Sequence, residues 1–193
     1  MNSPRVTVEL PEHRYDTIRA FRQEICRTVG LDPEGPAADP LPYATYLFVY
    51  PPAGRLGEVS EPAGMVEFFL YDQAFDSYES APYSEAANLA ELAPMGQMAH
   101  LRSVILAEQY RKTRLFQYLL MAMALTAFRM GARFMTAGTG LHNHSILALH
   151  QGAGMRRLGF WTPENCAPQQ LSLLELEPLA PVSYTHLTLP TKA

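Results

Sequence analysis

The run LFQYLLMAMALTAFRM, at residues 115–130, constrains the fold more than any other part of the sequence. It has the length and spacing of a helix, and Gln117, Thr126 and Arg129 are its clearly polar members. A helix with so few polar positions has no polar face to present to water, so we expect it to be buried on most sides. Strand patterns flank this run on both sides, so we expect the helix to pack against a sheet in a domain built of helix and sheet layers.

The composition is that of an ordered globular protein. The chain has 193 residues, of which 48% are hydrophobic and 18% are charged, enough for one buried core. Its net charge of -4 argues against general attraction to anionic lipid or nucleic acid, so no nucleic-acid partner is expected. Cys26 and Cys166 are isolated, which favours a reducing cytoplasm and gives no zinc motif or disulfide framework. No apolar run is long enough to span a bilayer, so a soluble protein without a transmembrane segment is expected. Because no cysteine or histidine pattern with metal-ligand spacing is present, no metal site is expected either.

The last residues of the chain are interpreted as sequencing read-through. Residues 182–191, VSYTHLTLPT, are encoded by the DNA string GTCTCTTATACACATCTGACGCTGCCGACG, which resembles a transposon adapter used in library preparation. Residues 182–193 are therefore excluded from functional reasoning, with an ordinary polar tail as the alternative. A single domain is predicted over residues 1–181.

Hydrophobic periodicity predicts the element order β, α, β, β, excursion, β, α, β, α, β, β. The first strand is RVTVEL, and a helix over residues 14–30 follows it, with Gly30 as its stop. The segments ATYLFVY and GMVEFFLY are rich in aromatic and β-branched residues and predict paired antiparallel strands. Residues 72–97 are acidic and hold no cation, which is typical of a surface excursion. Together these elements predict an α+β fold, in which helices flank a mixed, mostly antiparallel sheet.

Three cations, Arg111, Lys112 and Arg114, come directly before the apolar helix. A helix that begins near Thr113 directs its unpaired N–H groups and the positive end of its dipole toward the preceding strand. Phosphate binds readily at such a position, and cationic side chains add charge-assisted hydrogen bonds to it. The join between strand and helix is therefore predicted to bind an anion.

The stretch VILAEQYRKTRLFQYLL resembles the coenzyme A signature of the GNAT superfamily of N-acyltransferases. Its Tyr-Arg pair falls on Tyr110 and Arg111. Lys112, Arg114 and Phe116 stand where that family has glycines, which let backbone amides approach the pyrophosphate closely. Either side-chain cations replace those amides here, or the donor is a phosphopantetheine on a carrier protein.

A second stretch, NHSILALHQGAGM, extends the resemblance. GNAT proteins often have an asparagine, an alanine three residues on, a tyrosine seven residues on, and a Gly-Phe-like end. Asn143, Ile146 and His150 occupy the first three positions, and Gly154 with Met155 occupies the end. The two stretches cover about residues 98–161, and residues 5–71 agree in element order.

The resemblance implies transfer of an acyl group from a pantetheine thioester, acyl-CoA or acyl carrier protein, to a small-molecule amine. The thioester is then a co-substrate, and no permanently bound cofactor is expected. The strand over residues 98–107 would diverge from the strand over residues 134–137, and free amides near Ile105 and Leu106 would meet the thioester. The implied donor-binding residues are Ile105, Leu106, Arg111, Lys112, Thr113, Arg114 and Asn143.

The resemblance also implies the catalytic residues. His150 takes the place of the family's tyrosine and would protonate the departing thiolate, with a half-exposed helix histidine as the alternative. The candidates for the general base come from the strand patterns: Glu67 lies inside an otherwise apolar strand, and His100 lies one strand over. The alternatives are a Glu67 that faces solvent, because an unpaired buried carboxylate is costly, and a structural His100 with a satisfied partner. Asn143 also suits a helix N-cap.

The first helix and the acidic excursion resemble those of N-acyl amino acid synthases and acyl-homoserine-lactone synthases, which use long-chain acyl carrier proteins. Carrier proteins are acidic, so Arg111, Lys112 and Arg114 would dock one by charge. An alternative function of a different class is a catalytically inactive GNAT-like module that binds acyl-CoA or regulates, which the missing glycines permit.

Overall fold

The computed structural model describes residues 4–9, 11–51, 61–71, 97–111, 113–162 and 168–176. The strands are β1 Arg5–Glu9, β2 Thr45–Tyr50, β3 Gly64–Leu70, β4 Met98–Leu106, β5 Phe134–Gly140, β6 Arg156–Trp161 and β7 Gln169–Glu175. The α-helices are α1 Tyr15–Val29, α2 Leu115–Arg129 and α3 His144–Gly152. This order confirms the predicted one, while nearly all of the acidic excursion and the whole of residues 182–193 lie outside the described residues.

The first of two compact units comprises Met1–Phe69 and Leu101–Met123. Its strand order is β1-β2-β3-β4, and β2 runs antiparallel to both β1 and β3. The predicted antiparallel pairing of the two aromatic strands is thus confirmed. Helix α1 covers β2, with the rings of Phe21 and Phe48 6.1 Å apart. The buried core here contains Ile18, Ala44, Tyr46, Phe48, Tyr50, Met65 and Ile105.

Gly30 ends α1, as predicted. Its φ of 80° lies in the left-handed region, which glycine adopts without the steric cost of a Cβ. The next residue, Leu31, donates its N–H to Cys26 O at 2.9 Å, so the last turn of the helix is closed.

The end of β4 lies close against Gly64 of β3. A Cβ at Gly64 would be 2.3 Å from Leu106 Cδ2 and 2.5 Å from Ile105 O, so no other residue fits there without movement of the backbone. Just beyond this contact, Ala107 N donates to Ala63 O at 2.9 Å. The last residues of β4 therefore pack closely against the start of β3.

The second compact unit comprises Leu70–His100 and Ala124–Ala193. Its strand order is β4-β5-β7-β6, and β7 runs antiparallel to β5 and β6. Phe134 N donates to Gln97 O, and Thr136 Oγ1 donates to Ala99 O. Because the residue numbers rise together along both strands, β4 and β5 run parallel there. The predicted α+β class, with mixed and mostly antiparallel pairing, is confirmed.

Helix α2 is less enclosed than predicted. Leu115, Leu119, Met123 and Ala127 form a buried row, but Met121 is 45% exposed. The apolar composition overestimated burial, because a helix needs one continuous buried row and tolerates a methionine at the surface. In the parts of the chain that the structure describes, no helix is long and apolar enough to cross a membrane.

Candidate functional site

The turn that joins β4 to α2 is held by its own hydrogen bonds. After a short 3-10 turn at Glu108–Tyr110, Tyr110 O accepts from Thr113 N at 3.0 Å and from Thr113 Oγ1 at 2.7 Å. Thr113 Oγ1 also accepts from Leu115 N at 3.3 Å, which satisfies one N–H group at the start of α2. The helix begins at Leu115, the first residue of the predicted helical run. Thr113 lies just before it and accepts a hydrogen bond from its first turn.

Arg111 is held between β4 and α1. Its Nε donates to Leu106 O at 3.2 Å, and its Nη2 lies 3.4 Å from Glu24 Oε1. The Arg111 side chain is still 50% exposed, and Arg114 is exposed as well. Lys112 lies outside the described residues. Two of the three predicted anion-binding cations are therefore at the surface beside the start of α2.

A cleft of about 710 Å³ lies between α1 and the end of β4. Phe21, Ile105 and Leu106 give it apolar surface. Its charged lining consists of four carboxylates and two guanidinium groups: Asp16, Glu24, Glu61, Glu108, Arg27 and Arg111. The cleft thus brings Ile105, Leu106 and Arg111, three of the predicted donor-binding residues, to one open volume.

The α1 wall of the cleft was missed by sequence reasoning. Asp16, Ala20, Glu24 and Arg27 lie three or four residues apart, a spacing that places them along one face of a helix. All four line the cleft. The signal was present in the spacing, but charged residues on a helix are typical of a solvated surface and do not single out a site.

Glu67 is fully buried at the centre of a group that we call the Glu67 cluster: Arg22, Tyr46, Glu67 and Arg102. Arg22 Nη1 lies 2.6 Å from both carboxylate oxygens, and Arg102 Nη1 lies 3.1 Å from Oε1. Tyr46 donates its hydroxyl to Oε1 at 3.0 Å. The alternative in which Glu67 faces solvent is wrong, because α1 and β4 supply arginines that compensate the buried charge.

Further hydrogen bonds join the Glu67 cluster to the backbone of residues 37 and 41. Arg22 Nη2 donates to Ala37 O, and Leu41 N donates to the Tyr46 hydroxyl at 2.7 Å. Burial, followed by the negative charge of Glu67, raises the pKa of Tyr46, so the hydroxyl stays protonated. A carboxylate that already accepts from three side chains is poorly placed to take a proton from a substrate.

His100 is a buried residue of the second unit with a defined partner. Its Nδ1 lies 2.9 Å from Thr136 Oγ1, and its ring meets the Tyr71 ring edge-on at 6.2 Å between centroids. These contacts agree with the alternative in which His100 is a structural histidine with a satisfied hydrogen-bond partner. Its role as a general base stays a prediction.

Asn143 and His150 stand at the two ends of α3. Asn143 Oδ1 accepts from Ile146 N at 3.4 Å, which confirms the N-cap. His150 is 4% exposed, so the half-exposed alternative is wrong. Its Nδ1 has no hydrogen-bond partner among the residues described, and burial lowers the pKa of His150. The imidazole is then neutral at pH 7, and protonation of a thiolate requires that the thiolate's own charge raise that pKa.

The fold is that of GNAT acetyltransferases of known structure. Arabidopsis thaliana NAA60, solved in complex with acetyl-CoA, is 13% identical and matches with a TM-score of 0.62 over 91% of this chain and 99% of that one. A GNAT-family acetyltransferase from Streptococcus pneumoniae is 14% identical, with a TM-score of 0.60 over 90% of this chain and 99% of its own. No protein-family model and no curated protein matches the sequence. The predicted GNAT-like architecture is confirmed.

Proposed function

We propose that this protein is an N-acyltransferase that moves an acyl group from a pantetheine thioester to an amine. The observation that carries the proposal is the cleft at the end of β4, where Ile105, Leu106 and Arg111 line one open volume on a GNAT fold. NAA60, which has the same fold, was solved with acetyl-CoA, and this supports a thioester of coenzyme A as the donor.

In the proposed reaction, the amine nitrogen bonds to the thioester carbonyl carbon and the carbon–sulfur bond breaks. The amine loses one proton, and the departing thiolate gains one. Backbone N–H groups near Ile105 and Leu106 would stabilise the oxyanion that forms between these steps. The close approach of β3 to both residues, which the missing side chain of Gly64 permits, supports this arrangement.

The donor would be held at the start of α2. A donor phosphate would replace Glu24 as the partner of Arg111, while the bond from Arg111 Nε to Leu106 O keeps the guanidinium in place. The further donor contacts proposed are Lys112, Thr113, Arg114 and Asn143.

Proton transfer would use buried groups. We propose His150 as the group that protonates the thiolate, and its burial without a partner at Nδ1 supports a role beyond packing. Glu67 and His100 are the proposed bases, although each already has a hydrogen-bond partner.

The exposed Arg111 and Arg114 also support a finer form of the proposal, in which an acidic acyl carrier protein delivers a long-chain donor. That donor is the one used by the N-acyl amino acid synthases and acyl-homoserine-lactone synthases that the first helix resembles. The isolated cysteines favour the cytoplasm as the compartment.

A second candidate function is a GNAT-like module that binds acyl-CoA or regulates without turnover. The engagement of Glu67 favours it, because both carboxylate oxygens already accept hydrogen bonds from Arg22 and Arg102, and Oε1 also accepts from Tyr46. The two functions predict equal donor binding and opposite results for turnover.

Substitution Arg111→Ala tests the donor site. We expect it to weaken acyl-CoA binding about tenfold or more, since a charge-assisted hydrogen bond to phosphate contributes roughly 1.5–3 kcal/mol. Isothermal titration calorimetry measures the effect, with Arg14→Ala as the control at an exposed arginine outside the cleft. Equal donor affinity of the two variants would remove Arg111 from the donor site.

Substitution His150→Phe tests proton transfer. If His150 protonates the thiolate, turnover falls more than donor affinity does, because the group acts on the leaving sulfur and not on the bound ground state. Thiol release under saturating donor measures this. An unchanged rate would remove the role, and a wild-type protein that binds acyl-CoA tightly without thiol release would favour the module.

A further inference from the structure

The charges that line the cleft are unevenly paired. Both of its guanidinium groups contact the same carboxylate: Arg27 and Arg111 each lie 3.4 Å from a Glu24 oxygen. The other three carboxylates, Asp16, Glu61 and Glu108, form no ion pair with any residue in the described ranges. Three unpaired negative charges that face one concave surface give it a negative potential.

The apolar part of the cleft further restricts the kind of ligand that would fit it. Phe21, Ile105 and Leu106 supply hydrocarbon surface beside these carboxylates. A ligand that places positive charge against the carboxylates and methylene groups against the apolar side chains uses both parts of the lining.

We infer that the part of the cleft lined by Asp16, Glu61 and Glu108 is the acceptor subsite, in the same cleft as the donor site proposed at Arg111. The acceptor inferred from it is an amine with a second positive charge, separated from the reacting nitrogen by a hydrocarbon segment. This inference rests on the proposed function and names its acceptor class. The reacting nitrogen loses its proton before it attacks, so the second ammonium group is the one that Asp16, Glu61 and Glu108 recognise.

The charges of the cleft also disfavour an acceptor with a carboxylate. An amino acid would bring a negative group next to three unpaired acids, and like charges brought together oppose binding. The two cations of the cleft, Arg27 and Arg111, both contact Glu24, and Arg111 is also the group proposed for the donor phosphate. A neutral monoamine would leave the three carboxylates without a partner in the ligand.

The test compares three amines of equal length that differ in the charge at the far end: 1,5-diaminopentane, pentylamine and 5-aminopentanoate. With acetyl-CoA as donor, kcat/KM is expected to fall in that order, with a preference of about fivefold to tenfold for the diamine over pentylamine at low salt. Added salt should reduce the preference, because the carboxylates are exposed. Equal rates for the three amines, or a preference for 5-aminopentanoate, would overturn the inference.

Matched variants assign the preference to the cleft. The combined substitution Asp16→Asn, Glu61→Gln and Glu108→Gln should abolish the preference for the diamine, while a control with Glu12→Gln and Glu175→Gln, two exposed acids outside the cleft, should retain it. Circular dichroism checks that both variants fold. A preference that survives in the triple variant would overturn the assignment to these three carboxylates.

A binding measurement separates this inference from the proposed function. Titration of 1,5-diaminopentane into the wild type and the triple variant, followed by NMR without a donor, reports the cleft alone. Diamine binding that the triple variant loses, without thiol release from any pair of donor and amine, would support the subsite and contradict the acyltransferase. Thiol release without a preference for the diamine would support the acyltransferase and contradict the subsite. If the diamine does not bind and no thiol is released, both the subsite and the acyltransferase would be overturned.

Discussion

Two regions of the first unit contain carboxylates in opposite circumstances, the Glu67 cluster and the cleft beside α1. Glu67 is fully buried and accepts hydrogen bonds from two arginines and a tyrosine. Asp16, Glu61 and Glu108 are exposed and have no cationic partner within the described part of the chain. The same chemical group therefore holds secondary-structure elements together in one region and remains available to a ligand in the other.

The difference follows from the cost of removing charge from water. A buried carboxylate must be neutralised and hydrogen-bonded by the protein itself, so its partners come from α1, β2 and β4. An exposed carboxylate is stabilised by water and needs no partner from the chain. Stability should consequently depend on the Glu67 cluster, and ligand selection should depend on the cleft.

The largest expected effect is that of Glu67→Gln on stability. It leaves Arg22 and Arg102 as buried or half-buried cations without their counter-charge, which should cost about 3–5 kcal/mol of unfolding free energy. Urea denaturation measures the loss, and Glu12→Gln is the exposed control. A loss below about 1 kcal/mol would contradict the structural role of the cluster.

A smaller loss of stability is expected for Tyr46→Phe. The substitution removes the hydroxyl that donates to Glu67 and accepts from Leu41 N, so about 1–3 kcal/mol should be lost. The control is Tyr15→Phe, since the Tyr15 hydroxyl bonds to Asp39 at the exposed surface. Equal losses of unfolding free energy in the two variants would show that the buried hydroxyl of Tyr46 stabilises the protein no more than an exposed one does.

The smallest effect on stability is expected for the triple cleft variant. Asp16, Glu61 and Glu108 are exposed, and each substitution should change the unfolding free energy by no more than about 0.5 kcal/mol. The same denaturation experiment checks this, with the wild type as reference. A large loss would mean that these carboxylates stabilise the fold, and the contrast between the two regions would fail.

Sequence pattern was sufficient for the fold. Alternating strands, the apolar run of α2 and the glycine at the end of α1 each act within a few residues, so periodicity and turn chemistry reveal them. The N-cap of Asn143 belongs to the same local class.

The surroundings of the site residues depend on contacts between distant parts of the chain. Glu67 meets Arg22 across 45 residues and Arg102 across 35, and nothing in the apolar strand around Glu67 indicates either partner. The burial of His150 is likewise a tertiary property, since an isolated helix would leave that ring half exposed. Arg111 was found from sequence because its neighbours carry the pattern, whereas Glu24 was missed because its partner lies 87 residues away.

Acyl transfer from a pantetheine thioester releases a free thiol, and this release is the decisive measurement. Purified protein is mixed with acetyl-CoA and 1,5-diaminopentane, and free thiol is followed with a thiol reagent alongside mass spectrometry of the amine. We expect thiol release that requires the amine, together with an acylated diamine in equal amount. Tight binding of acetyl-CoA without amine-dependent thiol release, for this amine and for a panel of other donors and amines, would contradict it.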